Sequence, residues 1–132
     1  MILVDSSAWI ELFRATGSTV HLRLKAALER RDVLATTDVV LMEILAGARD
    51  DEERDWLRRF LYDRRFLPVQ GRADYESAAE LHRLCRRGGE TPRRLTDCLI
   101  AVIAIRNDAE LLCLDSDFET IARHTPLRLA AA

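Results

Sequence analysis

The alternation of short apolar runs with longer helical segments is the feature that most constrains the fold. Ile2–Val4, Leu34–Thr36 and 111–114 have the length and composition of buried strands. The predicted helices cover 8–14, 18–31, Asp38–Ala46, 51–65, 74–87 and Leu95–Arg106, with a last helix opening at 115–118. Residues 67–69 are predicted to be extended, and 127–129 to form an edge strand. Short strands separated by helices predict a three-layer α/β/α fold with a central, mostly parallel sheet.

Composition limits the classes of protein that fit this pattern. The chain has 132 residues, 48% of them apolar, which is enough for one domain spanning 1–132 with its own core. A net charge of −2 excludes a globally basic nucleic-acid coat but leaves room for a local basic patch.

Three features favour a cytoplasmic protein without membrane attachment. The longest apolar run, 98–105, is far shorter than the ~20 residues that span a bilayer. The first residues lack the basic start of a signal peptide. Three cysteines at long spacings are typical of a reducing compartment.

Several acidic residues lie at segment ends that a parallel sheet would bring together. Asp5 follows the first strand, and Asp115 and Asp117 follow the run at 111–114. Asp97 lies in the first turn of an apolar helix. In open α/β sheets, chemistry collects beyond the carboxyl ends of the strands.

Each of these acids also has a purely local explanation. Asp5, Asp115 or Asp117 could cap the helix that follows, and Asp97 suits the helix dipole. Ser116 and Glu119 further fit a capping box for the last helix.

Glu43 is harder to explain locally, because it lies in the middle of a predicted helix. Its neighbours at three and four residues are Val39, Val40, Ala46 and Gly47, and no basic residue is within helical reach. A carboxylate on so apolar a face is costly unless a group outside the helix neutralises it.

Taken together, the acids predict a divalent metal site. Crowded carboxylates repel one another unless they are protonated or bridged by cations. Oxygen ligands without convergent histidine or cysteine are what Mg²⁺ or Mn²⁺ prefers. Such an ion could activate water and hold a phosphodiester for in-line attack.

Four segments carry a resemblance to a known family. They read V-D-S-S-A-W at 4–9, L-M-E-I-L-A-G at 41–47, T-D-C-L-I-A at 96–101 and L-D-S-D-F at 114–118. In order and spacing they resemble the motifs of PIN-domain ribonucleases, and more closely those of VapC toxins from bacterial toxin–antitoxin pairs. The resemblance runs from residue 2 to about residue 129.

The resemblance assigns roles to the five acids. Asp5, Glu43 and Asp97 match the core metal-binding acids of the family. Asp115 matches the fourth acidic position, and Asp117 is the next acid of the same motif. The first four would be catalytic, and all five would bind the metal.

The first motif also contains two serines. Ser7 matches the family's small hydroxyl residue beside the first aspartate, where it would orient Asp5 or a metal-bound water. Ser6 stands where many relatives have threonine, a mild departure.

The resemblance implies a Mg²⁺- or Mn²⁺-dependent endoribonuclease that cleaves structured RNA, of the tRNA or rRNA class, with a metal-activated water. It also implies a homodimer and a cognate VapB-type antitoxin whose tail enters the acidic groove. A basic side chain of that partner could compete with the metal for the carboxylates.

The most basic stretch of the chain lies just before Asp97. Arg86, Arg87, Arg93 and Arg94 could contact the RNA backbone, or they could form a solvated helix end and loop. Both interpretations stay open.

Four aromatic residues, Trp9, Phe13, Trp56 and Phe60, could stack on bases. Their helical spacing favours packing in the core or in an interface.

Two other functional classes compete with the ribonuclease. One is a catalytically silent PIN-like module that binds RNA or protein, against which the intact acids count. The other is a phosphohydrolase with Asp5 as nucleophile, but that chemistry usually needs a second acid where this chain has Ser7.

Overall fold

The computed structural model describes residues 1–132 and contains one four-stranded parallel sheet in the order β3-β2-β1-β4. The strands are β1 Ile2–Val4, β2 Leu34–Thr36, β3 Arg65–Phe66 and β4 Glu110–Leu112. Each neighbouring pair is parallel, and β1 and β2 are buried along their whole length. Strands buried on both faces need no polar alternation, which explains why they read as short apolar runs.

Seven helices flank the sheet and complete the predicted α/β/α architecture. They are α1 Ser6–Phe13, α2 Thr19–Glu29, α3 Asp38–Ala46, α4 Asp51–Tyr62, α5 Gly71–Arg87, α6 Leu95–Arg106 and α7 Asp117–His124. Along the chain, β2 and β3 are added to the sheet on one side of β1, and β4 is then added on the other side. The ends of β1 and β4 therefore flank a topological switch point, the position where open α/β sheets bind ligands.

Helix α6 is central to the core, and its residues 97–104 are all buried. This burial on every side explains why the helix has an almost wholly apolar body. No helix is both long and apolar enough to span a bilayer.

The predicted helix 51–65 is too long. Helix α4 ends at Tyr62, and Arg65–Phe66 forms β3 by pairing with β2. The extended segment predicted at 67–69 therefore begins at Arg65. The Leu67 amide continues the pairing with β2, because it donates to the Thr36 carbonyl at 2.9 Å. Pairing with an available sheet edge here overrides local helix propensity.

Helix α5 starts three residues before the predicted Asp74. The Asp74 carboxylate accepts a hydrogen bond from the Gln70 amide at 2.7 Å, so it caps the helix from inside the first turn. Gly71 takes the left-handed conformation there, with φ of +59°.

The region after β4 also differs from expectation. The strand ends at Leu112, and α7 begins at Asp117 without a side-chain bond from Ser116, so the predicted capping box is wrong. Asp115 accepts from the Asp117 amide instead, at 2.9 Å. The edge strand predicted at 127–129 amounts to one parallel bridge between Leu129 and Leu111.

Candidate active site

Asp5 lies where β1 passes into α1, directly beside the end of β4. Its amide donates to the Leu112 carbonyl at 2.9 Å, and its Oδ2 accepts from the amide of Ser7 at 3.1 Å and from the Ser7 hydroxyl. The hydroxyl oxygen of Ser7 in turn accepts from the Leu114 amide at 3.0 Å. Asp5 is therefore a helix cap, as its local explanation required, and is also held at the switch point by Ser7.

Glu43 receives its neutralising contacts from outside α3, as its apolar surroundings require. The Ser6 hydroxyl donates to Glu43 Oε1 at 2.9 Å, and Arg94 Nη1 lies 3.8 Å from Oε2. Burial raises the pKa of Glu43, the bond from Ser6 opposes that rise, and the charge of Asp5 adds to it.

Asp97, Asp115 and Asp117 form the tightest part of the acidic site. Each offers one carboxylate oxygen, and these oxygens all lie within 4.8 Å of one another. The set contains only oxygen ligands, which suits a hard divalent cation.

The side chain of Asp97 has no exposed surface. Burial, with the charges of Asp5 and Asp115, raises the pKa of Asp97 to about 7 against the opposing charge of Arg94. Burial likewise raises the pKa of Asp5. For Asp97 the cost of burial exceeds the opposing effect of Arg94, and both pKa values rise because burial disfavours the charged carboxylate.

The structure thus brings the five acids to one edge of the sheet in two connected groups. Asp5 and Glu43 lie outside the three-acid group, but the charge of Asp5 acts on Asp97, and Arg94 joins Glu43 to Asp97.

Two arginines from the loop before α6 contact these acids. Arg94 Nη2 lies 3.1 Å from Asp97 Oδ1 and 3.0 Å from Asp115 Oδ2. Arg93 Nε lies 3.1 Å from Asp117 Oδ1. The sequence did not predict these carboxylate partners; it left open contacts to RNA or a solvated helix end and loop.

Arg86 and Arg87 end α5 and are exposed. An RNA contact by any of the four arginines stays a prediction.

The roles of Ser6 and Arg94 in the site were not predicted from the sequence. Ser6 was noted only as a departure from threonine, yet it holds Glu43, which is 37 residues away. Only the apolar surroundings of Glu43 signalled that a partner had to come from another element.

An apolar groove of about 720 Å³ lies between α1, α3 and α4. Its apolar lining consists of Ile10, Leu12, Phe13, Ile44, Trp56, Leu57 and Phe60. Glu43 lines the groove as well, so the groove and the acidic site share a residue.

The four aromatic side chains pack together beside this groove, and the predicted packing is confirmed for Trp9, Phe13 and Phe60, which lie in or against the core. Phe60 makes edge contacts with Trp9 and Phe13, with ring centroids 5.3 Å apart in both pairs. Trp9 is fully buried, whereas Trp56 is 51% exposed. The cluster therefore has one side in the core and one open to a partner.

Comparison with known proteins identifies the same four-motif region. The family model described as PIN domain matches residues 2–124. A VapC ribonuclease of Mycobacterium bovis and Ribonuclease VapC11 of Mycobacterium tuberculosis are each 43% identical over 132 residues, covering 99% of this chain and 98% of the relative.

Solved structures share the fold at lower identity. VapBC2 of Rickettsia felis, bound to a DNA fragment from the promoter, aligns with a TM-score of 0.75 at 18% identity and covers 98% of both chains. VapC20 of Mycobacterium tuberculosis, described as a Sarcin-Ricin loop cleaving toxin, aligns with a TM-score of 0.71 at 21% identity, covering 97% of this chain and 99% of the other.

Proposed function

Since the chain belongs to the PIN-domain family and is of the VapC type, we propose that it is the endoribonuclease toxin of a toxin–antitoxin pair and that it cleaves RNA with Mg²⁺ or Mn²⁺. The observation that carries this proposal is the convergence of carboxylates from four separate segments at one sheet edge. Three of them have oxygens within 4.8 Å of one another.

The acidic site suits a divalent ion in charge and in donor chemistry. Asp97, Asp115 and Asp117 would hold the ion, with Asp5 and Glu43 beside them. When bound, such an ion activates water and offsets the negative charge of the phosphate. PIN nucleases in general use divalent metals.

The hydroxyl groups of the first motif hold two of the acids in position. The Ser7 hydroxyl and the Ser7 amide each donate to Asp5, and the Ser6 hydroxyl donates to Glu43. Outer hydrogen bonds of this kind fix the direction in which a carboxylate presents its oxygens. We therefore assign Ser7 and Ser6 to positioning and the acids to catalysis and metal binding.

We further propose that the substrate is structured RNA of the tRNA or rRNA class. The exposed Arg86 and Arg87 would contact its phosphates, together with Arg93, whose side chain is 73% exposed. Sequencing the 5′ ends of RNA fragments after brief expression would test this. Cleavage spread evenly over messenger RNA would contradict it.

A VapB-type antitoxin is the proposed protein partner. Its apolar segment would occupy the groove that exposes Trp56, and a basic residue would reach the acids through the side shared with Glu43.

A homodimer is also proposed. This proposal follows from the resemblance to VapC toxins, because the exposed apolar residues of α5, Tyr75 and Leu84, lie nine positions apart and therefore on opposite sides of the helix. Light scattering of the purified protein tests this state, and a monomer at micromolar concentration would contradict it.

The main experiment compares RNA cleavage by the wild type, Asp5→Asn and Asp97→Asn, with Mg²⁺ and with EDTA. We expect cleavage only by the wild type with Mg²⁺, because each substitution removes a metal-facing charge while an amide preserves the shape. Asp108→Asn, at a surface pair with Arg128, is the matched control. Equal cleavage in EDTA would refute the metal dependence.

Expression in a bacterial host separates a toxin from a silent module. We expect growth arrest by the wild type and its relief by Asp97→Asn. If both proteins are equally harmless while both are folded, the assignment as a toxin fails.

A further inference from the structure

Arg94 joins acids from three elements of the site with a single guanidinium group. It precedes α6 in an extended conformation, and its side chain reaches Asp97 in the first turn, Asp115 after β4 and Glu43 on α3. Both oxygens of Asp97 face it, at 3.4 Å from Nε and 3.1 Å from Nη2. Glu43 and Asp97 have no other basic side chain within ion-pair distance.

Two of these acids, Asp97 and Asp115, also belong to the three-acid group that would hold a divalent ion. A guanidinium and a metal ion in contact with one carboxylate pair repel each other at short range, where the surrounding protein screens charge poorly. The two oxygens of the buried Asp97 cannot bind Arg94 and a metal ion at full strength at the same time. Occupation by one cation therefore weakens occupation by the other.

We propose that Arg94 is a built-in competitor for the metal site, which neutralises the acids in the absence of the ion and sets the affinity of the site for it. This inference rests on the proposed metal-dependent nuclease. It assigns to Arg94 a role distinct from that of an RNA contact.

The surroundings of Arg94 allow it to leave the acids without unfolding. Its side chain is 49% exposed, and its backbone stays anchored because its carbonyl accepts from the Asp97 amide at 3.2 Å. Arg106 shows the contrasting, structural arrangement. It is held by the buried Asp74 and also donates to the Pro68 carbonyl at 2.9 Å.

The loop that carries Arg94 is fixed at its other end. Glu90 accepts from Arg123 and lies 3.0 Å from His124 Nε2, both on α7, and its amide donates to the Cys85 carbonyl at 3.1 Å. Exchange between Arg94 and an ion thus requires only side-chain rotation, while the loop keeps its path. Such an arrangement permits metal loading without a change of fold.

The test measures Mn²⁺ binding by calorimetry at about pH 8, a readout that does not depend on RNA cleavage. Arg94→Gln removes the competing charge and is expected to bind Mn²⁺ about tenfold more tightly than the wild type, a typical size for coupling between two ligands. Arg94→Lys retains the positive charge but lacks the guanidinium group that holds a carboxylate with two hydrogen bonds. Its Mn²⁺ affinity should therefore lie between those of the wild type and Arg94→Gln. Arg72→Gln, an exposed position at the opposite end of α5, should bind as the wild type does.

The outcomes separate this inference from the proposed function. If the wild type binds no Mn²⁺, the metal site fails and the inference fails with it. If the wild type binds Mn²⁺ but Arg94→Gln binds equally or more weakly, only the competition is refuted. Should Arg94→Gln not fold, an affinity of Arg94→Lys no tighter than that of the wild type refutes it in the same way.

Discussion

The buried carboxyl of Asp97 makes the stability of the protein depend on pH in a direction that the structure specifies. The pKa of Asp97 is about 7, chiefly because burial disfavours its charged form. In the unfolded chain the same group titrates near its ordinary value of 3.8. Its contribution to stability is therefore fully present only below about pH 3.8 and is lost progressively as the pH rises from there through about 7.

The size of this effect follows from the difference between the two pKa values. The shift is about three units, and each unit corresponds to about 1.4 kcal/mol, so ionisation of Asp97 costs up to about 4 kcal/mol of folding free energy. Solvent screening reduces this little, since the side chain has no exposed surface. Asp97→Asn removes the titration but keeps an oxygen that Arg94 can bind.

Urea denaturation in the presence of a chelator, from about pH 4 to pH 8, measures the effect. We expect the unfolding free energy of Asp97→Asn minus that of the wild type to grow by about 4 kcal/mol over this range. Asp5 and Glu43, whose pKa values are also raised, remain in both proteins and largely cancel. A difference that does not change with pH would refute the reasoning.

Three further substitutions test other contacts. Ser6→Ala releases Glu43 and should lower Mn²⁺ affinity roughly tenfold, measured by titration; an unchanged affinity would remove Ser6 from the site. Asp74→Ala removes the hydrogen bonds that Asp74 accepts from Arg106 and from the Gln70 amide, and it should cost about 1–3 kcal/mol in urea unfolding; no measurable loss would contradict this role of the pair. Trp56→Ser should weaken antitoxin binding about tenfold or more, whereas Tyr62→Ser, equally exposed on α4 but outside the groove, should not; equal effects would place the partner elsewhere.

Most elements of the fold could be predicted from local sequence. The bounds of α3 and α6 agree with prediction because each helix has a clear apolar body and a clear end. The strands β1 and β2 were predicted from apolar runs that only a doubly covered sheet can bury.

The errors fall where a distant partner decides the local structure. Arg65–Phe66 becomes a strand because the edge of β2 provides hydrogen bonds that an isolated helix end lacks. The capping box expected at α7 is a local exception: Asp115, which the sequence also offered as a cap, takes the role that the spacing had suggested for Ser116.

For the candidate site, the sequence by itself determined which acids are present and that parallel strand ends would bring them near one another. Only the tertiary structure decided how they are compensated. Glu43 depends on Ser6 from α1 and on Arg94 from the loop before α6, contacts that span 37 and 51 residues of chain. Periodicity reports which face of a helix is buried, but the charge that meets a buried acid comes from whichever segment the topology places beside it.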